Sequence, residues 1–131
     1  MDCRFRYSLL IAGLLAASPA AAQTQTVVPL AVSPDMVAQG KKLFTGAGLC
    51  LACHGPLGKG GIGPDLTDTL WLHPQVLDFE ELVKAITTGF SLEVSQSGQL
   101  MPPRGGSNLK DAEVRAVAAY VWTLSRGGTG R

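Results

Sequence analysis

The chain has 131 residues, 46% of them hydrophobic and 16% charged, and its formal net charge is +1. This length suits one domain of ordinary size. The near balance of charge argues against nucleic acid or a strongly anionic membrane surface as a partner.

Residues 1–22 have the pattern of a secretory signal peptide. Arg4 and Arg6 supply positive charge, residues 9–17 form a short apolar core, and Ala20–Ala22 offer small residues for cleavage. The alternative is a membrane anchor, but the apolar run is well short of the roughly 20 residues that span a bilayer. We therefore expect cleavage after residue 22, export to the periplasm, and no transmembrane segment in the mature chain.

Residues 33–126 are predicted to form one domain between two flexible ends. Residues 23–32 contain a proline and show no helical periodicity, so an extended or mobile lead-in is expected there. Residues 127–131 follow the last predicted helix and are expected to form a flexible tail.

The first predicted helix begins at Ser33, which suits the N-cap position, with Pro34 in the first turn. Apolar residues recur at helical spacing as far as Phe44, and Gly40 lies in the middle of that face. A glycine inside a helix costs roughly 1 kcal/mol relative to alanine. Its place on the apolar face therefore indicates that another helix crosses closely there.

The segment Cys50-Leu51-Ala52-Cys53-His54 follows this helix and carries the attachment pattern of a c-type haem. Each thiol adds to one vinyl group of the porphyrin, and the adjacent imidazole is held as a ligand of the iron. A thiol redox pair would need a βαβ setting, and the sequence has no convincing strand pattern. A zinc site would need a fourth ligand, which only His73 or a carboxylate could supply. We favour one covalently attached haem c, with its iron, as the cofactor.

Two stretches follow before the last helix. Residues 55–65 contain five glycines and two prolines, which excludes regular structure. Residues 66–74 are ambiguous and compatible with a short helical turn that carries Trp71. Residues 78–88 are predicted to be helical, with a capping-box pattern at their start and an apolar stripe.

The last predicted helix covers residues 111–124 and follows a loop over residues 90–108. Lys110 stands at the N-cap, where its side chain has no acceptor, so no capping box with Glu113 is expected. Loops this long in a compact all-α domain need something to wrap around.

The remaining candidates concern the iron and the haem edge. The second ring nitrogen of His54 needs an acceptor, and a backbone carbonyl of the turn at residues 63–66 is close in sequence. Met101 is the candidate sixth ligand, in a loop stiffened by the two prolines that follow it, and His73 is its rival.

The Trp71 indole or the Arg104 guanidinium could bind a haem propionate. The alternatives for these two residues are a core aromatic and a surface charge.

Residues 34–124 resemble the class I c-type cytochromes of the bacterial monohaem kind. The resemblance is carried by Gly40 and Phe44, the attachment segment, Gly63-Pro64-Asp65-Leu66, Met101-Pro102-Pro103 and Tyr120. It implies an all-α cytochrome c-like fold, with three main helices and long loops wrapped around one haem. It also implies that Gly40 and Phe44 meet Tyr120, and that the Pro64 carbonyl accepts the hydrogen bond of His54.

The resemblance implies an electron carrier, not an enzyme, with His54 and Met101 as axial ligands. Its partners would be redox proteins such as a dehydrogenase or an oxidase, and the scattered lysines do not favour a strongly acidic one. The alternative is a haem subunit bound permanently to a periplasmic dehydrogenase or oxidase complex. An enzyme or gas sensor would need an open coordination position on the iron. Met101, as a candidate ligand for that position, argues against both of these functions.

Overall fold

A computed structural model of the chain describes residues 32–69, 71–74, 76 and 78–126. The predicted signal peptide, the lead-in up to residue 31 and the predicted tail lie outside these residues. The elements, in chain order, are α1 (Pro34–Thr45), α2 (Cys50–His54), α3 (Phe79–Thr88), a 3-10 turn (Pro103–Gly106) and α4 (Asp111–Ser125).

Within these ranges the only β pairing is an isolated bridge between Phe90 and Met101. The all-α prediction is therefore confirmed. No helix among the described residues is both long enough and apolar enough to cross a membrane.

The contact between α1 and α4 forms the centre of the core. A Cβ atom added to Gly40 would collide with the backbone carbonyl of Ala116 and lie 3.0 Å from Cβ of Tyr120. The ring of Phe44 meets that of Tyr120 edge-on, with centroids 5.3 Å apart and an interplanar angle of 69°. The close helix crossing expected from the position of Gly40, and its contact with Tyr120, are both confirmed.

Helix α3 also packs against α4 through its apolar face. Its N-cap is Asp78, whose carboxylate accepts from the N–H of Glu81 at 2.8 Å. The ring of Phe79 meets that of Trp122 at 6.0 Å in an edge-on arrangement. Above this contact, both terminal nitrogens of Arg115 donate to the carboxylate of Glu80, at 2.8 and 2.7 Å. The paired guanidinium holds the pKa of Glu80 below its usual value.

One local expectation was wrong, and one segment that the sequence left ambiguous is not helical. The start of α4 does have half of a capping box, because a carboxylate oxygen of Glu113 accepts from the backbone N–H of Lys110 at 2.8 Å. The described part of residues 66–74 contains no helical turn. There the backbone N–H of Leu66 donates to the Gly58 carbonyl at 2.7 Å, so this part of the backbone is hydrogen-bonded to the preceding loop.

Gly40→Ala tests the α1–α4 crossing through the sign of its effect on the free energy of unfolding. Helix propensity alone would make the alanine variant about 1 kcal/mol more stable. We expect it to be less stable by roughly 1–3 kcal/mol, because the new methyl group collides with the Ala116 carbonyl. Urea denaturation followed by circular dichroism measures the change. The exposed neighbour Gln39→Ala is the control and should be neutral or stabilising, and a stabilised Gly40→Ala would contradict the crossing.

Candidate functional site

A large cavity lies between α2, α3, α4 and the two long loops. Its volume is about 1210 Å³ when the part open to solvent is included. The walls are mostly apolar, and their buried or half-buried part includes Phe44, Leu66, Leu82, Ile86, Val117 and Val121. Such a cavity suits a large, flat and mainly apolar group.

Helix α2 brings both cysteines of the attachment segment to this cavity. Leu49 precedes it in the left-handed region, with φ of 60°, which turns the chain sharply into the helix. Cys50 and Cys53 are half-buried free thiols, and Sγ of Cys50 donates to the Gly48 carbonyl at 3.3 Å. Burial raises the pKa of Cys50 to about 11. The thiol is therefore protonated at neutral pH, unlike the reactive thiolate of a disulfide oxidoreductase.

His54 ends α2 and is buried, with its imidazole at the cavity wall. Its Nδ1 lies 2.9 Å from the Pro64 carbonyl oxygen. Because a carbonyl only accepts, Nδ1 is the donor, and Nε2 is left with its lone pair. A Cβ atom added to Gly63 would lie 2.9 to 3.3 Å from three ring atoms of His54. Glycine therefore lets the loop pass directly against the face of the imidazole.

Met101 lines the same cavity and is positioned by the end of α3. Phe90 and Met101 exchange two backbone hydrogen bonds, of 2.8 and 2.9 Å. Gly89 has φ of +67°, and a Cβ atom there would collide with the Met101 carbonyl. The contact of Gly89 with the methionine loop had no recognisable signal in the sequence.

The other candidate residues have different positions. Trp71 is half-buried and lines the cavity. Arg104 is absent from the cavity lining, and its guanidinium donates to the Leu109 carbonyl at 2.6 Å and to the Asp111 carboxylate at 2.7 Å.

His73, which the sequence offered as the rival iron ligand, is buried and also lines the cavity. Its ring stacks on that of Phe90, with centroids 3.8 Å apart and planes within 7°. Burial lowers the pKa of its imidazole.

Asp65 shapes the loop that presents Pro64. Its Oδ1 accepts from the hydroxyl of Thr67 at 2.6 Å and from the N–H of the same residue at 2.7 Å. These hydrogen bonds, the hydroxyl one first, lower the pKa of the Asp65 carboxyl.

Asp65→Asn is expected to reduce the acid sensitivity of the protein. A carboxyl whose pKa is lowered on folding stabilises the folded state above its unfolded pKa of about 3.9. That contribution is lost as pH falls below this value and through the folded pKa. Urea midpoints measured between about pH 2 and pH 6 should therefore fall less steeply in the variant than in the wild type. Asp68→Asn, at an exposed neighbour, is the matched control, and an equal flattening in both variants would contradict the assignment.

Comparison with known proteins adds independent information. Residues 35–121 match the family described as cytochrome c oxidase, cbb3-type, subunit III. The chain is 33% identical over 111 residues to the Cbb3-type cytochrome c oxidase subunit CcoP of Rubrivivax gelatinosus, covering 80% of this chain and 32% of that protein. It is 36% identical over 93 residues to the subunit FixP of Bradyrhizobium diazoefficiens, covering 69% and 28%.

A third relative is cytochrome c4 of Thiocapsa roseopersicina, 31% identical over 110 residues, with 79% of this chain and 55% of that protein covered. The chain thus spans about a third or less of the two oxidase subunits and about half of cytochrome c4.

Two solved structures share the fold. Cytochrome cL of Methylophaga aminisulfidivorans MPT aligns with a TM-score of 0.55 and 27% identity, over 68% of this chain and 53% of that one. Cytochrome cL of Hyphomicrobium denitrificans aligns with a TM-score of 0.54 and 24% identity, over 66% and 46%, and shows the fold alone.

Proposed function

Because the chain belongs to the c-type cytochrome family described as cytochrome c oxidase, cbb3-type, subunit III, we propose that it transfers electrons in the periplasm with His/Met-ligated iron. The family binds haem c covalently, and this group supplies one-electron oxidation and reduction at its iron. The observation that carries the proposal is one apolar cavity lined by Cys50, Cys53, His54 and Met101. The signal-like pattern of residues 4–22 supports export to the periplasm.

Cys50 and Cys53 hold the haem in this proposal. Each would be joined to the haem by a C–S bond, formed by addition of its S–H across one vinyl C=C, with the hydrogen going to the neighbouring carbon. The two thiols are three positions apart on α2, which fixes their separation nearly one helical turn along the chain. The apolar walls exclude water from the group they enclose, and this adds to the stability of the folded protein.

His54 and Met101 are the proposed axial ligands. The hydrogen bond from Nδ1 of His54 to Pro64 fixes the tautomer, orients the ring and raises the basicity of Nε2. Met101 is held through its backbone by Phe90, so its thioether enters the cavity from the loop that follows α3. A thioether ligand favours the ferrous state relative to imidazole and so raises the reduction potential. Trp71, which lines the cavity, is the better placed of the two propionate candidates, because the guanidinium of Arg104 already has two partners.

Met101→Ala tests the ligand assignment. The haem-loaded ferric protein should show a methionine-to-iron charge-transfer band, and the substitution should abolish it because the sulfur is gone. The matched control is Met36→Ala, at a half-buried methionine of α1, which should keep the band. Survival of the band in Met101→Ala would refute Met101 as the ligand.

A second candidate function is that of a haem subunit held permanently in an oxidoreductase complex. The mouth of the cavity carries four exposed apolar side chains. They are Leu49, Ile62, Leu72 and Leu100, which are 53%, 67%, 43% and 58% exposed. Apolar groups clustered beside a cofactor site are typical of a protein interface. The names of two relatives, both oxidase subunits, agree with this candidate.

Ile62→Ser and Leu100→Ser separate the two candidates. In a permanent complex, the wild-type chain should stay bound to its oxidoreductase partner from about 20 mM to about 500 mM salt, because apolar contacts are not screened by ions. The two serine variants should dissociate, measured by size-exclusion chromatography. Leu57→Ser is the control, since this leucine is 59% exposed but absent from the cavity lining. A wild-type chain that elutes alone would favour the free carrier.

A further inference from the structure

The chain contains two histidines, and both of them line the same cavity. His54 has a role in the proposed function and His73 has none. His73 is only 8% exposed, although it lies outside every helix. A buried imidazole at the wall of a haem cavity is chemically able to bind iron, since histidine is a common axial ligand of haem.

The bridge between Phe90 and Met101 brings His73 close to the methionine. Two residues that exchange both backbone hydrogen bonds in an antiparallel pair have Cα atoms about 5.5 Å apart, and their side chains lie on the same side. The side chains of Phe90 and Met101 are therefore neighbours. The ring of His73 stacks on that of Phe90 at 3.8 Å. The imidazole is thus in contact with a side chain that neighbours the methionine, and both His73 and Met101 line the cavity.

We propose that His73 is the alternative sixth ligand of the haem iron, which it binds when the Met101 thioether does not. This inference rests on the proposed function, since it requires haem and a methionine ligand in the wild type. In the Met101-ligated protein His73 keeps its stack on Phe90. Without the thioether, the imidazole leaves that stack and closes the sixth position, so the iron stays six-coordinate. The His73-ligated protein has a lower reduction potential than the Met101-ligated protein, because imidazole favours the ferrous state less than a thioether does.

Spectroscopy of haem-loaded variants tests the proposal. Met101→Ala should give a low-spin ferric spectrum with two imidazole ligands, seen by electron paramagnetic resonance. Met101→Ala combined with His73→Phe should be high-spin, because phenylalanine keeps a flat ring against Phe90 and has no nitrogen. Carbon monoxide should bind ferrous Met101→Ala at least about tenfold more slowly than the double variant, because it binds only the fraction of iron that His73 leaves free.

Two controls keep the outcomes distinct. His73→Phe alone should retain the methionine charge-transfer band, which shows that the fold and the Met101 bond survive. Added imidazole should convert the double variant to the spectrum of Met101→Ala. A high-spin Met101→Ala that binds carbon monoxide as fast as the double variant would overturn the role of His73 and leave the proposed function intact. A charge-transfer band that persists in Met101→Ala would instead overturn the ligand assignment itself.

Discussion

The close contact between Gly40 of α1 and the Ala116 carbonyl of α4 is the constraint on which the rest of the structure depends. It lets the two helix backbones touch, and it brings Phe44 edge-on to Tyr120. Helix α1 leads within a few residues into α2, while Val117 and Val121 of α4 line the cavity. The position of the two thiols relative to the apolar wall is therefore set where these helices meet, at some distance from the thiols themselves.

Much of the fold could be predicted from the sequence, because its signals are local. Ser33 and Asp78 accept hydrogen bonds at the starts of α1 and α3, and the apolar periodicity predicted α1, α3 and α4 to within about a residue, whereas α2 was not predicted. Local sequence signals did not predict the features that depend on a contact with another part of the chain. The burial of His73 depends on Phe90, and the pairing of the Arg104 guanidinium depends on the loop folding back to Leu109.

Both loops that carry the proposed axial ligands are positioned mainly through backbone atoms. Gly63 passes against the imidazole of His54, and the Pro64 carbonyl accepts its N–H. Gly89 allows the close approach of the Met101 backbone. Contacts of this kind tolerate change in most surrounding side chains while requiring glycine at two positions.

The bridge between Phe90 and Met101 also links the position of the methionine to local opening at the end of α3. Phe90 follows directly after the last turn of α3 and its Gly89 stop. Helix ends open locally far more often than the whole protein unfolds. When the end of α3 opens, the two backbone bonds that hold Met101 lose their anchor. Opening of this helix end therefore also frees the Met101 backbone, and amide exchange at Phe90 and Met101 reports the opening.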